Sequence, residues 1–138
     1  MKQIWVLILI LSVNLGCRQN KARNDISGNW WSIQQDSTYS ELYINDSELV
    51  FNHESYGPIP RKFKSSFDSI YIYNLKDDKA GTWRIIDNSD SILILANQEE
   101  EHKFHRLNLP KSYFESYEDS LAWQSFEEAF FIRHMKKR

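Results

Sequence analysis

The chain is predicted to be mainly β, an eight-stranded antiparallel meander that closes into a barrel, followed by a C-terminal α-helix. Three observations lead there. Between Ile26 and Leu107, short runs rich in β-branched and aromatic residues alternate with polar turn clusters. Five Trp and a 14% aromatic content supply large side chains for one small core. Beyond Pro110 the apolar spacing becomes helical, and the chain ends in Lys136-Lys137-Arg138.

The N-terminus reads as an address rather than as part of this fold. Lys2 precedes the apolar run Ile4 to Leu11, which is shorter than the ~20 residues a membrane-spanning helix needs and fits the core of an export signal. The segment that follows, Val13-Asn14-Leu15-Gly16-Cys17, resembles the lipobox of bacterial lipoproteins, with Gly16 and Cys17 at the two matching positions and Asn14 and Leu15 departing from the usual pattern. That resemblance implies a signal peptide over residues 1–16, acylation of Cys17, and a polar tether over 17–25. Acyl chains on Cys17 would hold the domain on a membrane of the cell envelope. Cys17 is the sole cysteine, so the domain has no internal disulfide and depends on its core.

The barrel domain is expected over 26–109. Its runs lie at Ser27–Gln34, Thr38–Asn45, Glu48–His53, Arg61–Ser66, Ser69–Asn74, Gly81–Asp87, Ser91–Ala96 and His102–Leu107. Asn45-Asp46-Ser47, Lys76-Asp77-Asp78-Lys79 and Asn88-Ser89-Asp90 carry side chains that bond their own backbone, so they read as tight turns between antiparallel neighbours. Tyr56-Gly57-Pro58-Ile59-Pro60 reads as a longer, lid-like connection, because proline cannot donate to a ladder. Ile92-Leu93-Ile94-Leu95 is apolar on both faces, which predicts a covered outer side.

The helical segment occupies 110–138 and starts near Ser112, with Glu115 at capping-box spacing. Its apolar side chains fall on two opposite faces. Tyr113, Phe114, Tyr117, Leu121, Phe131, Ile132 and Met135 form one; Ala122, Trp123, Phe126, Ala129 and Phe130 form the other. A straight helix on a sheet needs a single stripe. Either the segment breaks near Ser116–Ser120 with both pieces on the barrel, or one face is kept for a partner. The aromatic face of Trp123, Phe126 and Phe130 is the candidate for that contact.

Gly28-Asn29-Trp30 opens the first run and Gly81-Thr82-Trp83 the sixth. Gly-x-Trp at the start of such a meander, with a helix after it, resembles the lipocalins and the short lipocalin-like domains of bacterial lipoproteins. The resemblance covers roughly Ile26 to Leu107. It implies that Trp30 closes a barrel floor beside Gly28, and that Arg106 stacks across it from the last strand. It also implies binding of a small apolar ligand in the interior, although short strands and plentiful aromatic residues leave room for a filled barrel.

Charge and motifs narrow the functions further. The net charge is −2, and one unit more negative without Lys2, which gives no basic face for nucleic acid. His102 and His105 would point to opposite faces of a strand and make a poor metal pair. His53-Glu54 and Glu99-Glu100-Glu101 read as a strand end and a hairpin tip, and no metal or other cofactor is expected. No nucleophile elbow, phosphate loop or dinucleotide fingerprint occurs, so an enzyme is not expected. Two functions remain: an envelope-anchored binding module for a small apolar ligand, and a protein–protein interaction element of the envelope that uses the aromatic helix face. The location these imply is the periplasm-facing side of a bacterial outer membrane.

Overall fold

The computed structural model describes residues 25–137 and is a closed barrel of eight antiparallel strands in chain order, with two helices after it. The strands are β1 (Gly28–Ile33), β2 (Tyr39–Ile44), β3 (Glu48–His53), β4 (Gly57–Ser65), β5 (Ser69–Tyr73), β6 (Lys79–Asn88), β7 (Ile92–Ala96) and β8 (Glu101–Arg106). The helices are α1 (Tyr113–Ser116) and α2 (Ser120–Lys137). The barrel closes where β1 meets β8, through Trp30 opposite Arg106 and Trp31 opposite His105. Ser32 Oγ, donating to the Lys103 carbonyl at 2.9 Å, continues that seam.

Alternation along each strand builds the interior. Trp30, Leu42, Ile44, Leu49, Phe63, Ile70, Ile85, Leu93, Leu95 and Phe104 form one buried cluster, with Phe51, Ile72 and Trp83 packed against it. Two irregularities bend β6. Ala80 is the extra residue where Ile72 pairs with Gly81 and Tyr73 with Lys79, and Ile86 is extra where Ile85 pairs with Leu95 and Asp87 with Ile94. Ile86 is accordingly left at the surface.

The expected strand limits hold to within two residues except in the fourth, where the lid-like loop at Tyr56–Pro60 is corrected to strand from Gly57 onward. The physical reason is the parity of the prolines. Phe63 N donates to Ser47 O on the β3 side, so Pro58 and Pro60, of opposite parity, turn their missing donors toward β5. Pairing with β5 begins only at Lys62, and the prolines therefore remove no ladder bond. The outer side of β7 is covered only in part: Ile92 and Ile94 are half-buried and Ala96 is buried, while α2 lies over β2.

The C-terminal segment breaks after Ser116. Ser112 and Glu115 make the capping box of α1, with Glu115 N donating to Ser112 Oγ at 3.2 Å and Ser112 N donating to Glu115 Oε2 at 2.7 Å. Asp119 then starts α2, its Oδ1 accepting from Leu121 N and Ala122 N at 2.9 Å each.

What α2 covers is the outer face of β2, where Tyr39, Glu41 and Tyr43 are fully buried. The Glu41 carboxylate accepts from Tyr39 Oη at 2.5 Å, Tyr43 Oη at 2.6 Å, and Arg133 Nε and Nη2 at 2.7 and 2.8 Å. Its oxygens are thus matched by donors on the strand and on the helix, as a buried carboxylate requires. Burial, and then the nearby Glu41 charge, push the pKa values of Tyr39 and Tyr43 far above the ordinary phenol value of 10.0, so both stay protonated as donors. Near the helix end, His134 Nε2 lies 2.8 Å from Glu54 Oε2, and Lys137 Nζ sits 3.8 Å from the centre of the Trp31 ring.

Candidate functional site

One end of the barrel is sealed. Trp30 is fully buried and its Nε1 donates to the Ile26 carbonyl at 3.1 Å, which fixes the indole across the floor. Arg106 Cζ lies 3.7 Å from the Trp30 ring centre, and its Nη1 and Nε donate to the carbonyls of Ser27 and Asp90, each at 3.1 Å. Burial lowers the Arg106 pKa from its ordinary value, against the opposing pull of the Asp90 and Asp25 charges. Gly28 is required beside them, since its φ is +130° and a Cβ there would meet Arg106 Nη1 at 2.0 Å. The structure therefore brings Gly28, Trp30 and Arg106 together at the floor. Gly81 has an ordinary backbone, and Trp83 lines the interior rather than closing it, so the second Gly-x-Trp does a different job.

The other end opens into a cavity of about 570 Å³, within the ~300–1,000 Å³ common for small-molecule sites. Its apolar wall includes Leu42, Leu49, Phe51, Ile72, Trp83, Leu95 and Phe104. A polar rim comes from the β1–β2 turn at Gln34, Gln35, Asp36 and Thr38, from Glu100 just before β8, and from Glu101 at its start. His53, Arg61 and His102 also line the space. Phe51, Trp83 and Phe104 line this space without filling it, while Trp30 closes the floor and Tyr39 and Tyr43 face outward under α2.

The polar groups of the rim are mostly engaged with one another. His53 Nδ1 accepts from Ser55 N at 3.1 Å and its Nε2 lies 3.1 Å from Thr38 Oγ1, while the neighbouring Glu54 accepts from Tyr39 N at 2.7 Å. The two side chains of His53-Glu54 are thus committed to different partners. His102 Nε2 lies 3.1 Å from Glu100 Oε2 on the inner side of β8, whereas His105 is on the outer side, stacked on Trp31 at 4.9 Å. Asn97 Oδ1 caps Glu99 N and Glu100 N, which makes the acidic run a structured hairpin tip.

The aromatic helix face is a correction. Phe126 is buried against Tyr43 at 5.3 Å, Trp123 packs on Tyr113 at 5.3 Å, and Phe130 packs on Tyr39 at 5.6 Å. Trp123, Phe126 and Phe130 are therefore the face that docks α2 onto the barrel, and not a surface offered to a partner. The physical reason is that β2 carries Tyr39 and Tyr43 outward and needs an aromatic cover. Leu121, Phe131, Ile132 and Met135, on the opposite face, are the exposed ones. Cys17, the expected lipidation site, lies outside the described residues.

A closed antiparallel barrel with a sealed floor and an open apolar cavity defines the class: a small β-barrel in the form of a cup. Comparison with known proteins agrees at the level of fold. A protein from Bacteroides uniformis ATCC 8492, solved by NMR, superposes with a TM-score of 0.52 at 14% identity, over 61% of this chain and 90% of its own. No family model and no curated protein matches the sequence.

Proposed function

We propose that the protein is a lipid-anchored, lipocalin-like binding module that holds a small apolar molecule inside the barrel, on the periplasm-facing side of a bacterial outer membrane. The observation that carries this reading is the apolar cavity of about 570 Å³ with one sealed end. A pocket that is walled by Leu, Ile, Phe and Trp and rimmed by polar groups gains free energy by exchanging water for an apolar ligand. Anchoring rests on Gly16-Cys17 after the apolar run. The described chain enters the barrel at the floor, through Ile26, and the mouth is at the opposite end of the barrel.

Native mass spectrometry of the protein purified gently from its own membranes tests both halves. The expected spectrum shows a chain that begins at acylated Cys17 and carries a small molecule released on denaturation. A mass that includes residues 1–16 and no acyl chains overturns the anchor. An acylated chain with an empty barrel and a protein adduct overturns the carrier.

A further inference from the structure

From the position of Arg61 we infer that the cavity's ligand is amphipathic, an apolar chain or ring system ending in a single carboxylate, with the carboxylate seated on the Arg61 guanidinium. This rests on the carrier reading and names the ligand class within it. On β4 the inner positions run Ile59, Arg61, Phe63, so a strand that otherwise places apolar side chains inward places one cation there. Arg61 pairs in register with Leu49 and lines the same cavity as Leu49, Phe51 and Ile72.

Its donors are largely unspent. Arg61 Nη1 donates to the carbonyl of its own neighbour Pro60 at 2.9 Å, and among the described residues no carboxylate pairs with it. Several other ionisable groups of the lining differ: His102 is matched by Glu100, His53 by Thr38 and Ser55, and Asp36 Oδ1 accepts from Thr38. A guanidinium keeps its charge and offers a planar fork that fits a carboxylate with two parallel bonds. The acidic groups of the rim, Asp36, Glu100 and Glu101, select against ligands of higher negative charge. A monoanion with an apolar body satisfies the wall, the cation and the rim together.

The test titrates the full chain, in a nonionic detergent, with laurate and with dodecanol, reading bound fractions by native mass spectrometry. The wild type is expected to bind laurate about tenfold or more tightly than dodecanol, the usual range for a charge-assisted hydrogen bond. In Arg61→Gln the two affinities should converge through loss of laurate binding, with dodecanol binding retained as proof that the cavity is intact. Lys64→Gln, on the outer face of β4, should leave the preference unchanged. Equal binding of both ligands to the wild type overturns the anionic head and leaves the carrier standing. A laurate preference that survives Arg61→Gln overturns the seat at Arg61. Absence of binding by either ligand overturns the inference together with the carrier reading beneath it.

Discussion

Arg133→Ala is expected to destabilise the folded protein by about 3–5 kcal/mol, the range for a buried charge stripped of its partner. Glu41 is fully buried, and Arg133 supplies two of the donors its carboxylate receives. Without the guanidinium, the Tyr39 and Tyr43 hydroxyls alone face a negative charge beneath α2. Urea denaturation followed by far-UV circular dichroism measures the loss. The double variant Glu41→Gln, Arg133→Leu should be more stable than Arg133→Ala, because a neutral amide can still bond both phenols and no charge is left buried. A loss below about 1 kcal/mol for Arg133→Ala would mean that the pair behaves as a surface ion pair and does not fasten α2.

At the floor, Trp30→Ala should cost about 3–5 kcal/mol, as removal of a fully buried indole does when the site cannot collapse. Collapse is restrained here, since the Ile26 carbonyl and the Arg106 guanidinium are both held against the ring. Arg106→Lys isolates the stacking. It keeps the charge but loses the planar contact and the forked bonds to Ser27 and Asp90, and a stability loss of about 0.5–2 kcal/mol is expected. Thermal unfolding of the two variants beside the wild type checks both; an unchanged midpoint for Arg106→Lys contradicts a structural role for the stack.

Much of the barrel is legible in the chain because alternation and turn chemistry agree there. Leu42/Ile44 and Ile70/Ile72 announce the inner face, and Asn45, Asn74 and Asn97 each hold their own turn through backbone N–H groups. The start of β4 is hidden, because a proline argues against strand unless it is known which neighbour its nitrogen faces. That knowledge comes only from the register with β3 and the late start of pairing with β5. Arg61 is obscured differently: it opens the expected run on the same face as Phe63, but a cation at the first position of a strand reads as a solvated end until β4 extends back to Gly57 and sets Arg61 mid-strand. Glu41 is the harder case. Tyr39-Glu41-Tyr43 resembles a solvated outer face, and its burial depends on a helix about ninety residues away in sequence whose two apolar faces are equally credible. The choice between those faces falls to Arg133, whose helical position sets it beside Phe126 and Phe130 over β2.

The role of the barrel as a ligand cup is tested most directly by comparing wild type with Ile72→Trp, both taken from their own membranes, for a retained small molecule by native mass spectrometry. Ile72 lines the cavity and pairs with Gly81, which has no side chain, so an indole there extends into the space a ligand would occupy. The result in accord with a cup is a wild type that carries a small-molecule adduct and an Ile72→Trp protein that is folded and empty. The same adduct on both proteins would place the molecule outside the barrel and contradict it.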